Sequence, residues 1–390
     1  MPVPSLNIDL NKIFHNAREL VSRLASHRIS TTGVTKVMLG SIEIANTMLR
    51  AGVKEIGDSR IENIKAMRLS KSDNLRHDIS LSLLRSPMLS QVPQVVKYAD
   101  TSLNTELEVI RALSLEAARF KRVHQIILMV ELGDLREGIM PADLIDTVRE
   151  VIELPYIRII GIGANLACYN GVSPDTTNMA ELSRLADSIE ATFGLTLEVI
   201  SGGNSANLSW LLNKKQIDVG RINNLRLGES ILLGRETLHR RAIDGLYSDA
   251  ITLTAEVIES KLKPSQPTGK IAQSAFGAAA LESKPGTVRQ AILAIGIQDV
   301  DPAGLRAPKG IEILGASSDH LILQSNRADL FVGQKLLFQI SYSALLRAMT
   351  SPYVAKVYEN RIHAYASPAT EQIGRPDSDF ETHQGPQQWL

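Results

Sequence analysis

Residues 125–164 read QIILMVELGDLREGIMPADLIDTVREVIELPYIRIIGIGA. An apolar run at 125–131 is followed by a polar, Gly-punctuated stretch, then by 141–153 with apolar residues at helical spacing, then by a second apolar run at 157–164. Strand, amphipathic helix and strand in that order predict a βαβ unit, because the helix supplies the crossover that a parallel pair needs.

Working outward, the same rhythm fills the first 240 residues. Further strand candidates lie at 33–38, 53–57, 79–84, 98–103, 197–201 and 218–222, and further helical stretches at 41–51, 105–119 and 178–193. Eight strands at this spacing predict an α/β fold built on a (β/α)8 barrel. An open, doubly wound sheet would show the same alternation. The closed barrel is favoured because polar or chemically useful residues recur at the C-terminal strand ends: Lys36, Asp58, Arg85, Asn104, Glu131, Asn165 and Ser201. Barrel enzymes collect their active sites at that face.

After about residue 247 the texture changes. Residues 251–259 alternate apolar and polar side chains, and 289–296, 311–314, 320–324 and 334–340 follow with Gly, Pro and Asp punctuation but little helix. This predicts a second, mainly β domain. The expected organisation is a barrel over 1–245, a β domain over 246–362 and a flexible tail over 363–390, where Pro, Gln, Gly, Ser and Asp dominate.

At 390 residues the chain is long enough for two domains with large cores. Its 44% hydrophobic and 22% charged residues suit a globular protein. Lys plus Arg balance Asp plus Glu at 42 each, so no global charge draws the chain to nucleic acid or an anionic membrane, and a small-molecule partner is expected. Cys168 is the single cysteine, which excludes an intramolecular disulfide and argues against a cysteine-built zinc site. The start, MPVPSLNIDLNKIF, has no basic region followed by an apolar one, and no apolar run reaches the ~18 residues of a membrane span, so a cytoplasmic protein is expected.

Three features carry chemistry. Lys36 ends the apolar run at 33–38, Ser201-Gly202-Gly203-Asn204-Ser205 forms a Gly-rich turn, and Arg226 sits in Asn223-Asn224-Leu225-Arg226-Leu227-Gly228-Glu229. A buried strand-end lysine loses the solvation that keeps it protonated, so its amine can condense with an aldehyde. A Gly-rich turn before a helix offers unpaired N–H groups to a phosphate dianion. Alone, such a lysine is more often a snorkelling surface residue and such a turn merely tight. Amine, phosphate cradle and arginine in this order are the parts of a pyridoxal-phosphate site.

With those residues in view, the chain resembles fold-type III pyridoxal-phosphate enzymes, and within them the ornithine racemase group related to alanine racemase. The resemblance runs from about 8 to 358 and is carried by GVTKV at 33–37, ELGDLREGI at 131–139, NLACYNG at 165–171, SGGNS at 201–205, INNLRLGESILLG at 222–234, DVDP at 299–302, GASSDHLIL at 315–323 and ALLRAMTSPYV at 344–354. It implies an amino-acid racemase, an isomerase acting as a homodimer with pyridoxal 5'-phosphate. Lys36 resembles the Schiff-base lysine and Arg226 the arginine facing the pyridine nitrogen. Ser201, Gly202, Gly203 and Asn204, with Gly228 and Glu229, resemble the phosphate cup. Arg136 resembles the arginine that orients the substrate carboxylate, and Asn165 falls where alanine racemases carry a ring-stacking histidine. From the residues alone, Arg136 could equally be a surface partner of Asp134 or Glu137.

One departure stands out. Alanine racemases present a tyrosine from the partner subunit opposite the lysine, in a segment that aligns with Gln273-Ser274-Ala275-Phe276-Gly277. Phe276 has no proton to give. Asp319 and His320 are the preferred substitutes as second acid, with Cys168 and Tyr169 behind them; an imidazole can carry a proton in the working range, an aspartate carboxyl only if desolvation raises it. Ornithine is the substrate implied by resemblance, and Asp299, Asp301, Asp319 and Glu131 are available for a distal ammonium. The rivals are a lysine or broad-specificity racemase, a decarboxylase on the same fold, and a non-catalytic pyridoxal-phosphate homeostasis protein.

Overall fold

Eight parallel strands close on one another in this computed structural model, which describes residues 3–70, 79–212, 217–273, 286–325 and 330–360. The first strand, β1 (Ser5–Asp9), stays outside the ring. The barrel runs through β2 (Ser30–Val34), β3 (Glu55–Asp58), β4 (Ser80–Leu83), β5 (Thr101–Asn104), β6 (His124–Val130), β7 (Ile157–Ala164), β8 (Val199–Ser201) and β9 (Asn224–Leu227). Closure is the parallel pairing of β9 with β2, from Ser30 opposite Asn224 to Gly33 opposite Leu227. The period of two along a strand sorts side chains between layers: Ile126, Leu128 and Val130 join the core shared with the helices, whereas Ile127 and Met129 cluster separately with Leu103 and Ile160.

The strand–helix alternation at 125–164 is therefore the repeat of a closed barrel, as the sequence predicts. The expected strand at 33–38 is instead Ser30–Val34 followed by the 3-10 turn Lys36–Met38, and the one expected at 218–222 is displaced. Residues 218–222 form a turn, with the Asp218 carboxylate accepting from the Gly220 N–H and Gly220 at φ +55°, and the eighth strand is Asn224–Leu227. A left-handed glycine cannot continue a pleated run, so the strand begins only after it.

The C-terminal half adds β10 (Ile251–Pro264), β11 (Thr287–Leu293), β12 (Leu305–Arg306), β13 (Ile311–Ala316), β14 (Leu321–Ser325), β15 (Lys335–Ile340) and β16 (Ala355–Glu359). They form a sheet in the order β12-β15-β10-β11-β14-β13. β1 joins this sheet and not the barrel, antiparallel to β10 and parallel to β16. The helix Tyr342–Thr350, started by the Ser341 side chain, packs against the 3-10 turn Lys36–Met38 and so joins the two halves beside the lysine. Phe276 and the tail at 363–390 lie outside the described residues.

Candidate active site

After Val34 the chain leaves β2, and Thr35 turns it into the 3-10 turn Lys36–Met38, which ends on Leu39 in the left-handed region. Thr35 is fixed from below. Its Oγ1 donates to Asp58 Oδ2 at 2.9 Å, and Asp58 also accepts from the Arg60 N–H and from Asn63 Nδ2. Asp58 is fully buried at the end of β3, and burial raises its pKa despite those hydrogen bonds. Lys36 is exposed, against the expectation of a buried amine: the turn lifts it off the strand, and its Nζ lies 5.7 Å from the centre of the Tyr342 ring. Tyr342 is a site residue that sequence reading missed, since nothing local ties it to a lysine 306 residues earlier. Its phenol is pushed upward by burial and by the nearby Glu229 carboxylate.

On the adjacent strand β9, where it stands opposite Thr32 of β2, Arg226 is 7% exposed and makes no ion pair among the described residues. Its Nη1 donates to Ser201 Oγ at 2.5 Å, and its Nη2 to the Ala164 carbonyl at 2.8 Å and to Asn165 Oδ1 at 3.4 Å. Nε is left without an acceptor among the described residues. A hydrogen-bonded chain supports it inside the barrel: Ser201 Oγ to Asn224 Oδ1, Asn224 Nδ2 to Thr32 Oγ1, and Thr32 Oγ1 to Glu55 Oε2, at 2.7, 3.0 and 2.9 Å. Burial pulls the guanidinium down to about 10, still about three pH units above neutrality, so it stays charged.

The loop between β8 and the helix Asn207–Leu212 carries Gly202, Gly203 and Asn204. Gly203 sits at φ +144°, and a Cβ there would lie 2.3 Å from Asn207 Oδ1, which accepts the Asn204 N–H. Only glycine fits. The Gly203 and Ser205 N–H groups have no acceptor among the described residues, and Ser205 Oγ contacts Ser230 Oγ at 2.9 Å, tying this loop to the start of the helix Glu229–Leu233. Gly228 packs on the strand that carries the lysine: a Cβ there would stand 3.1 Å from Val34 Cβ. Glu229 is half-buried, and burial pushes its carboxyl up to about 7 against the opposing pull of Arg240 and Lys36.

Two groups are thus assembled, and all their members except Tyr342 are expected from the sequence. Lys36, Tyr342 and Glu229 stand together, and Arg226, Ser201, Asn165 and Asn204 share one network, in which Asn204 Nδ2 donates to Asn165 Oδ1 and to the Leu166 carbonyl. Arg136 stands apart: it is exposed and bonded to the adjacent Glu137. Its neighbour Asp134 is the buried one, and its carboxylate accepts from the N–H groups of Cys168, Tyr169, Asn170 and Val172. These bonds shape the loop after Asn165 and hold the Asp134 pKa down against desolvation. Cys168 and Tyr169 are exposed at that loop. Asp319 and His320 lie in the turn between β13 and β14, with His320 Nδ1 2.8 Å from Asp319 Oδ1. The desolvation that would make Asp319 an acid is missing in the single chain, where the bond to His320 lowers its pKa.

The chemistry of this donor set fits pyridoxal phosphate. Asn165 Nδ2 is buried without a partner, the Gly203 and Ser205 amides are free for an anion, and Arg226 keeps a charged donor with no carboxylate to quench it. The Lys36 amine stands beside Tyr342 and Glu229.

Comparison with known proteins agrees with this geometry. Residues 8–234 match the family "Alanine racemase, N-terminal domain". The chain is 41% identical to the ornithine racemase of Acetoanaerobium sticklandii over 357 residues, covering 90% of this chain and 99% of that protein. It is 38% identical to the lysine racemase of Thermotoga maritima over 364 residues, covering 93% and 100%. Among solved structures it is similar in fold to an alanine racemase from Streptomyces lavendulae, with a TM-score of 0.71 at 16% identity over 93% of this chain and 98% of that one. It is similar also to the alanine racemase of Bartonella henselae with covalently bound pyridoxal phosphate, with a TM-score of 0.68 at 16% identity over 92% and 100%.

Proposed function

The chain belongs to the alanine racemase family, and on that premise we propose that it is a pyridoxal-phosphate-dependent amino-acid racemase acting on ornithine, with lysine as the second reading. The observation that carries it is a buried, charged Arg226 without a carboxylate partner, facing the mouth of a barrel whose neighbouring strand β2 leads into Lys36. The ornithine reading rests on 41% identity across nearly the whole chain, and the lysine reading on 38% identity across as much.

When bound, the cofactor supplies the electron sink that makes the substrate Cα–H acidic. Lys36 anchors it and takes or returns the Cα proton on one face. Arg226, whose Nε–H is unused among the described residues, would be the donor to the ring nitrogen. Because a guanidinium does not surrender its proton at neutral pH, this keeps the sink weaker than a carboxylic acid would and favours proton return to Cα. Ser201, the free amides of Gly203 and Ser205 and those at Gly228 and Glu229 would hold the phosphate, and Asn165, beside Arg226 and with a buried N–H lacking a partner, would stand against the ring. Arg136 orients the substrate carboxylate after exchanging its bond to Glu137.

In this reading residues 1–245 bind the cofactor and 246–362 complete the site of the other subunit in a cytoplasmic homodimer. The second face is served from the turn at 317–320. His320 is the better acid there, because the bond from His320 keeps Asp319 ionised. No helix among the described residues is long and apolar enough to cross a membrane.

The test is chiral chromatography of purified protein incubated separately with L-ornithine, L-lysine and L-alanine. D-ornithine should accumulate fastest, and Lys36→Ala should abolish both turnover and the yellow absorbance of the bound cofactor. Faster conversion of lysine than of ornithine would select the second reading, and no inversion of any of the three by yellow protein would overturn both.

A further inference from the structure

A cleft of about 160 Å3 lies between the end of the barrel and the C-terminal sheet. The helix Glu229–Leu233 and the following loop supply Glu229, Arg235 and Arg240 to its wall, and the sheet side supplies Arg306, Gln339 and Ser341. None of the three guanidiniums has a carboxylate within ion-pairing distance among the described residues. Arg235 is half-buried, and its fork is oriented by long bonds from Nη1 to the Arg240 carbonyl at 3.2 Å and from Nη2 to Gln339 Oε1 at 3.4 Å. Burial, and then the Arg306 guanidinium, lower its pKa, so two like charges are held close in a partly dry place. The one carboxyl on the wall, Glu229, is itself displaced to about 7 by burial and is only partly ionised at neutrality.

We propose that this cleft is a binding site for a small oxyanion of phosphate size carrying two negative charges, separate from the Lys36 centre. Guanidiniums present paired N–H donors that match the oxygens of a phosphate or a carboxylate, and such charge-assisted bonds are the strong ones. Three of them around one recess, faced by a single carboxyl that is only partly ionised at neutrality, leave the net positive charge that a dianion needs and that repels an ammonium group. The distal amine of a diamino-acid substrate is therefore excluded from this cleft. Size narrows the ligand further: sites for larger organic ligands run to roughly 300 Å3 and more, so a nucleotide does not fit.

Isothermal titration of the holoenzyme with inorganic phosphate, at ionic strength held constant with sodium chloride, tests the assignment, with succinate as the planar dicarboxylate for comparison. Saturable binding of one phosphate per chain is expected, without change in the visible spectrum of the cofactor. Arg306→Gln and Arg240→Gln, both at exposed positions, should each weaken it by about tenfold to a hundredfold while leaving turnover in phosphate-free buffer unchanged. Preference for succinate over phosphate with the same loss in both variants would keep the site and change the oxyanion to a dicarboxylate. Binding equally strong in both variants, or none saturable at millimolar phosphate, would overturn the proposal. So would phosphate acting as a purely competitive inhibitor against the amino acid and losing that effect in Arg306→Gln, because the cleft would then be the substrate's own carboxylate site.

Discussion

Replacing Glu229 by Gln should stabilise the protein, and more so as the pH rises. The carboxyl titrates at about 7 in the folded chain against an ordinary value of 4.5, raised chiefly by burial. A raised carboxyl binds its proton more tightly when folded, so its contribution is fully present below about pH 4.5 and is lost as the pH climbs through 7. Values about 2.5 pH units apart, at about 1.4 kcal/mol each, set a ceiling of roughly 3 kcal/mol, and partial exposure of the side chain brings the expectation nearer to 1–2 kcal/mol. Gln has nearly the same shape and no charge to desolvate. Urea unfolding of wild type and Glu229→Gln at pH 4.5, 6, 7 and 8.5 isolates this group, since every other titration is common to both proteins. The difference in stability should open between pH 4.5 and 7 and level off above pH 8. A constant difference across the range, or one that shrinks with rising pH, would refute burial as the cause of the displaced titration.

Further outcomes follow from the same geometry. Arg226→Glu replaces a charged donor bonded to Ser201 and to the Ala164 carbonyl, and should slow racemisation by about tenfold or more while keto-acid products appear; an unchanged rate and product spectrum would make Arg226 purely structural. Asp134→Ala removes the acceptor of four N–H groups in the 168–172 loop and should cost roughly 2–4 kcal/mol, with faster amide hydrogen exchange confined to that loop. Gly203→Ala combines φ +144° with a Cβ 2.3 Å from Asn207 Oδ1, a strain of about 1–3 kcal/mol, and should release the cofactor on dialysis where wild type keeps it, as read from the visible absorbance.

What sequence could disclose here depended on the range of each interaction. The strand–helix rhythm of the barrel is local, so it was readable from 125–164 outward, and the Gly-rich loop and Arg226 announced themselves by residue type. The eighth strand was displaced because Asn223 and Asn224 look like turn residues. In fact Asn224 is a strand residue whose amide bridges Ser201 and Thr32 inside the ring, a role visible only once the barrel closes. The expectation of a buried Lys36 failed because one turn after Val34 lifts the side chain off the strand. Tyr342 escaped notice, and Asp58 and Asp134 were seen only as a strand-end residue and as a surface partner for Arg136, for one reason: each acts through contacts that pattern within a short window cannot show. Arg136, picked from its motif, is exposed and bonded to Glu137, whereas the nearby Asp134 is buried and does the structural work.

The pairing of β1 bears on how the chain comes to be folded at all. Ser5–Asp9 is synthesised before every strand of the barrel, yet its partners are the run 251–254 and the run Ala355–Glu359, which are synthesised after all of them. The barrel can close on itself while translation proceeds, but β1 must wait, its backbone donors and acceptors satisfied only by water, until the last described strand arrives. Such long-range closure is slow and leaves an open sheet edge exposed in the meantime. A shortened chain lacking either end would therefore keep its barrel sequence intact and still present that edge, so aggregation of nascent or truncated protein, more than loss of the barrel, is the hazard this topology carries.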